Sequence, residues 1–269
     1  MEGLYLYCIR DKIENDTADP IKGIDGKVNV YPLVCRGLEA VVSDVSLEEY
    51  NSEELARRAK DDINWIKEKA TAHEYIIEEM LRKNEKMLRL IPMRFGIIFK
   101  KKAGLEETLS KDYLKFNKIL DRISGKQEWS LKIYLKDRSI IERTIKENNA
   151  VIKEKRKEMD SLSEGMAYFM EEEMNNIISE ECDNELDSII KYIYKSLEKH
   201  SADSVNNKIL QRALTGKREE MVFNAAYLIP DVNIEIFKKD TEAMNRKMQH
   251  KGIYLEYSGP WPCYNFVGD

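Results

Sequence analysis

From position 137 to position 200 the chain is charged and almost without glycine or proline, and no other feature limits its fold so strongly. Only Gly165 interrupts it, so the stretch lacks the punctuation that strands and tight turns need. Ser161-x-x-Glu164 has capping-box spacing and divides it in two. Beyond that point Phe169, Met170, Met174, Ile177, Ile189, Ile193 and Leu197 fall on one helical stripe. At the usual rise, a helix from Glu164 to Lys199 is a rod of roughly 50 Å. A stripe that long wants a surface to lie on, and a sheet is the expected one.

Strand patterns flank the helical section. GLYLYCIR (3–10), KVNVYPLVCRG (27–37) and LEAVVSDV (38–45) are β-branched and aromatic runs, the last two adjacent as in a hairpin. Leu55, Ala59, Ile63, Ile66, Ala70, His73, Ile77 and Met80 then predict one helix reaching about residue 85. RLIPMRFGIIF (89–99) breaks that period and reads as an extended segment kinked by Pro92 and Gly96. A second helix covers 105–123, and EWSLKIYLK (128–136) alternates Trp129, Leu131, Ile133 and Leu135 on one face. Downstream, KILQRAL (208–214) and MVFNAAYLIP (221–230) are expected to pair, followed by a helix over 231–251 and a strand at 252–259. The fold expected is α+β: two ferredoxin-like domains with a long helical section between them and a docked C-terminal tail. The boundaries fall at 1–136, 137–258 and 259–269.

With 269 residues, 42% of them hydrophobic, the chain can bury more than one core. Its 44 basic and 49 acidic residues leave a net charge of −5, which disfavours nucleic acid as a partner. No apolar run approaches the roughly 20 residues of a membrane span, so the protein is not expected to be membrane-integral. MEGLYLYCIRDK lacks the pattern of a signal peptide, and Cys8, Cys35, Cys182 and Cys263 form no C-x-x-C pair. A cytoplasmic protein with reduced thiols is the expectation.

Catalytic groups are scarce. His73 lies on the apolar stripe and is expected to be a satisfied core residue, while His200 and His250 lie near helix ends, where a cation complements the dipole. His73-Glu74 opens like a zinc-protease helix, but Ile77 stands where the second ligand belongs. No phosphate-binding loop is present. The expectation is therefore no catalytic, cofactor-binding or metal-binding residue, and no enzyme.

Three stretches stand apart. Extended geometry would turn Arg94 away from Ile91, Met93 and Phe95, so that its guanidinium needs an acceptor such as a carboxylate. Asn224 within a strand needs a hydrogen-bond partner if buried. The end of the chain, SGPWPCYNFVGD, carries Trp261, Tyr264 and Phe266 among prolines and glycines. Pro260 and Pro262 favour polyproline geometry, in which Trp261 and Tyr264 share a side, and the tail is expected to clamp into a groove between the domains. Arg94, Phe95, Trp261, Tyr264 and Phe266 are the candidates for partner binding or for that clamp.

LIPMRFGIIF, NAAYLIP, SGPWPCYNFV and EWSLKIYL also resemble, in the same order, the signature segments of the GvpF/GvpL family of gas vesicle accessory proteins, with Cys263 where that pattern has proline. The resemblance runs from the first strand to residue 267. It implies a non-enzymatic role in forming gas vesicles, with a location at the vesicle. It also implies binding to the small hydrophobic gas vesicle shell protein, assisting nucleation or assembly, and contact with other accessory proteins. The alternative reading is a scaffold that bridges those accessory proteins through its helices.

Overall fold

The structure is a computed structural model and describes residues 1–14, 20–83, 86–159 and 161–268. The fold is α+β, with two larger antiparallel sheets and a helical section between them in sequence. Two compact units form, one of residues 1–128 with 260–269 and one of residues 129–259. The division thus falls inside a strand rather than after residue 136, and the tail belongs with the first unit.

In the first unit β1 (Glu2–Asp11), β2 (Tyr31–Cys35) and β3 (Leu38–Ser46) are followed by α1 (Ser52–Asp61) and α2 (Ile63–Leu81). A small ribbon, β4 (Arg82–Lys83) with β5 (Lys86–Met87), precedes β6 (Leu90–Pro92), β7 (Ile98–Phe99), α3 (Lys102–Lys111) and α4 (Tyr113–Ile123). The sheet order is β2-β3-β1-β6, with β7 also on β1. β1 is therefore the inner strand, and Leu4 to Ile9 are all buried. Arg10 and Glu39 face each other across β1 and β3 and form a buried ion pair at 3.1 Å. Glu39 also accepts the Ile13 N–H, which helps compensate the lost hydration of its charge.

The helix expected from Leu55 to about residue 85 is two helices, because Asp62 ends one and starts the other. Its N–H bonds the Arg58 carbonyl while its side chain accepts the Trp65 N–H. Asp112 interrupts 105–123 likewise, with its N–H on Thr108 and its carbonyl accepting from Phe116.

The second unit holds most of β8 (Lys126–Leu135), then α5 (Arg138–Asn148), α6 (Ala150–Met159), α7 (Glu164–Glu198), β9 (Asp203–Asn206), α8 (Arg212–Thr215), β10 (Glu220–Pro230), α9 (Ile234–Gln249) and β11 (Ile253–Trp261). The order β11-β8-β10-β9 is consistent with a ferredoxin-like unit. Trp129, Leu131 and Ile133 of β8 meet Ile189, Ile193 and Leu197 of α7 and Phe237 of α9 in one core. α7 is a single helix of 35 residues, as its stripe requires, but its burial begins at Met174 and leaves Phe169 67% exposed. Its cap residue is Ser163, without a side-chain bond, so the capping box at Ser161 does not form.

The partner of β10 is Asp203–Asn206 rather than 208–214. Asn224 explains the shift: its carbonyl takes the Asn207 N–H and its amide donates to the Lys208 carbonyl at 2.9 Å. These bonds carry the chain out of the ladder, and 212–215 coil into α8, closed by left-handed Gly216.

Gly252 joins α9 to β11 at φ +73°, and its carbonyl accepts from both Lys136 and Asp137 at the end of β8. A Cβ there would lie 2.4 Å from the Asp137 carbonyl oxygen, whereas one at Gly125, also left-handed, meets nothing. Gly125→Ala is expected to cost about 1 kcal/mol and Gly252→Ala at least about 2 kcal/mol in urea unfolding. Equal losses would contradict the contact at Asp137.

Candidate functional site

Polar side chains fasten two segments of the first unit: 93–97 and the tail. β6 and β7 both pair with β1, at Cys8–Arg10 and at Leu4–Tyr5, and the residues between them leave the sheet as an arch. Met93 N–H donates to the Tyr7 carbonyl and Leu6 N–H to the Ile97 carbonyl, marking its feet. Gly96 turns the arch at φ +87°, a conformation that L side chains rarely adopt.

His73, buried on α2, holds the arch from beneath. Its Nε2 lies 3.0 Å from the Met93 carbonyl and its Nδ1 lies 3.1 Å from the Tyr5 hydroxyl. A carbonyl only accepts, so Nε2 carries the hydrogen and Nδ1 accepts from Tyr5. The Tyr5 oxygen in turn accepts the Gly96 N–H at 2.9 Å. Burial holds the imidazole below its usual pKa, against the pull of the Met93 carbonyl, and pushes the Tyr5 phenol up. Phe95 is half-buried, edge-on to both Tyr5 and His73.

The tail is fastened by two carboxylates. Tyr264 donates to Glu74 of α2 at 2.9 Å. Asn265 gives its backbone N–H to one oxygen of Glu128 at 3.0 Å and its amide to the other at 2.6 Å. Phe266 is 1% exposed, Cys263 is buried, and the Phe266 N–H closes a turn on the Cys263 carbonyl. Glu128 is itself buried, and burial raises its pKa to about 7 although the Asn265 bonds oppose the shift. Glu74 is raised for the same reason, with Tyr264 opposing.

The five candidate residues separate. Phe95 and Tyr264 join one apolar cluster with Tyr5, Tyr7 and Ile77, and Phe266 is buried. Arg94 is exposed and makes no ion pair with any described residue, contrary to the expected acceptor. The arch is the reason: once the chain leaves the sheet, alternation stops, so Pro92 is buried while Arg94 and Ile97 are exposed. Trp261 is 39% exposed at the end of β11, and the turn after Pro262 replaces the expected polyproline alignment with Tyr264. His73 is the satisfied core residue expected, His200 bonds Asp240 at 2.8 Å just beyond α7, and His250 caps α9. The sequence reading takes Glu74 only as part of an incomplete zinc-protease pattern and Glu128 only as the start of a strand, and it gives Asn265 and Tyr5 no role; an acidic residue entering a strand beside Trp129 is the available signal.

Among the described residues, no cluster of three His, Cys, Asp or Glu side chains could hold a metal, and no helix is long and apolar enough to cross a membrane. Residues 3–268 match the family described as "Gas vesicle synthesis protein GvpL/GvpF". The chain belongs to the GvpL/GvpF family. It is 27% identical to gas vesicle protein F of Nostoc sp. strain PCC 7120 over 98% of each chain. It is 24% identical to gas vesicle protein L1 of Halobacterium salinarum, over 99% of this chain and 91% of that one. The crystal structure of GvpF from Anabaena sp. PCC7120 superposes with a TM-score of 0.75 at 22% identity, covering 100% of this chain and 99% of the other. GvpF from Microcystis aeruginosa gives 0.69 at 22% identity, over 99% of each. The GvpL/GvpF fold thus extends over the arch, the helical section and the tail, and the chain is a gas vesicle accessory protein.

A raised carboxylate pKa means that the folded chain holds the proton more tightly than the unfolded one. The stabilisation from Glu128 is therefore complete below the ordinary glutamate value of 4.5 and is lost as pH rises through about 7. Between pH 5 and pH 8 it is expected to remove roughly 2 kcal/mol of stability. Glu128→Gln should flatten that part of the profile in urea titrations; an unchanged slope would contradict the assignment.

Proposed function

We propose that this GvpL/GvpF protein acts without catalysis, binding the small hydrophobic gas vesicle shell protein and assisting its nucleation or assembly. Family membership along the whole chain is the observation that carries the reading. Shell subunits present apolar surface before assembly, and a partner that covers it prevents aggregation. The residues divide between two tasks. Phe95, Tyr264 and Phe266 hold the arch and the tail in place, and exposed Arg94 and Trp261 meet the partner. An exposed indole and a guanidinium that forms no ion pair with any described residue are side chains that commonly anchor interfaces.

Co-expression with the shell protein and capture of the complex tests this directly. Removing the whole tail would also remove Phe266 and the bonds to Glu74 and Glu128, so point variants are the cleaner choice. Trp261→Ala with Arg94→Ala should leave thermal unfolding nearly unchanged and weaken capture roughly tenfold. Full capture by the folded double variant would remove these two residues from the interface. If the unaltered chain captures no shell protein, the binding reading itself fails.

A further inference from the structure

On one flank of the seam between α5 and α7 the second unit leaves a groove of about 460 Å³, a size suited to a small molecule. The seam itself is apolar, with Ile141, Ile178, Cys182 and Ile189 buried in one core. Beside it the two helices present unlike walls. Ile140, Ile141 and Ile145 of α5 form the apolar one. Glu181, Asn184 and Ser188 of α7, three and four residues apart and so on one face, form the polar one. None of these three makes a side-chain hydrogen bond or ion pair with a described residue. On α5 the Thr144 hydroxyl and the Asn148 amide each donate to a carbonyl one turn back, at 2.9 Å, which leaves their oxygens as acceptors. Asn149 has the reverse arrangement, its oxygen being taken by the Ile152 N–H.

The sign of the groove follows from its charged groups. Lys251, just past α9, is the only cation among the described lining residues, and it lies 2.7 Å from Glu185, one turn along from Glu181. The lining therefore keeps one unpaired charge, the Glu181 carboxylate. Lys146 and Asp183 stand two residues from Thr144 and Glu181, on the far sides of their helices, and Arg138 pairs with Asp183 there at 2.8 Å. Arg143 stands near Asp137. Just outside the groove, Lys247 donates to the Tyr192 hydroxyl and Lys191 is exposed, while Glu147, Glu180 and Asp187 are exposed carboxylates. Two lysines against three carboxylates reinforce the negative sign.

We infer that this groove binds a small primary amine with an apolar chain. The chain would lie along Ile140, Ile141 and Ile145, and the ammonium would meet Glu181 and the acceptor oxygens beside it. Neither wall suffices alone. An exposed ion pair contributes little, and an apolar wall accepts any hydrocarbon. Together they select a ligand that carries both features. The inference uses only the second unit and does not depend on shell-protein binding.

The test titrates n-hexylamine into the full chain with its isoleucine methyl groups labelled for NMR. The Ile140, Ile141 and Ile145 methyls should shift saturably, with a dissociation constant of about 1 mM, the scale open to so small a ligand. At equal pH, n-hexanol should bind about threefold more weakly and n-hexanoate about tenfold. Glu181→Gln should remove the preference of the amine over the alcohol. Thr144→Trp, introduced from an exposed position, should fill the groove and abolish the shifts caused by all three probes. Absence of shifts at these methyls, equal binding of the three probes, or undiminished amine binding by either variant overturns the proposal. So does tighter binding of the hexanoate, because it would give Lys251 the deciding charge.

Discussion

One neutral imidazole organises the first unit. His73 reaches a backbone carbonyl with one nitrogen and a tyrosine hydroxyl with the other, so Met93 and Gly96 on either side of the arch are tied to α2 and β1. Each group in the chain has a single assignment: Gly96 donates to Tyr5, Tyr5 to His73, and His73 to Met93. Burial keeps the ring uncharged, which the pattern requires. A second ring proton would leave Tyr5 without its acceptor and place a charge among Tyr5, Tyr7 and Phe95. Without this fastening, only the backbone bonds at Met93 and Ile97 would hold the arch, and its turn at Gly96 would have no side-chain partner.

The tail solves a related problem in the opposite way. A chain end normally frays, and its backbone donors normally meet water. Here Glu128 takes up a backbone and a side-chain donor from Asn265, while Phe266 provides apolar burial of about 2 kcal/mol. The same burial makes the Glu128 charge costly, and the Asn265 bonds offset only part of that cost. Fixing the tail and destabilising a carboxylate are thus one arrangement seen from its two ends.

The periodic parts of the sequence carried most of this architecture. β8 follows its apolar pattern closely, and α7 follows its stripe from Met174 onward, because these residues pack against one core. Breaks were harder to read. Asp62, with a side-chain cap, and Asp112, without one, divide helices and leave no gap in hydrophobic spacing. The pairing of β10 depends on a side-chain amide at Asn224, which overrides the strand propensity of 208–214. At the site, the aromatic residues announced themselves and their acceptors did not. Glu74 and Glu128 resemble surface acids until the tail is laid on them, since contacts that distant in sequence leave no local pattern.

Exposure of Trp261 gains significance from what lies beside it. Trp261 ends a nine-residue strand and is followed within five positions by buried Phe266, so the backbone carrying it is held on both sides. Folding has already ordered the main chain there, and a partner would have to immobilise only a few side chains. Apolar groups on a fraying segment would bind weakly, because ordering the segment would consume much of the gain. Held in place, the same side chains escape that loss.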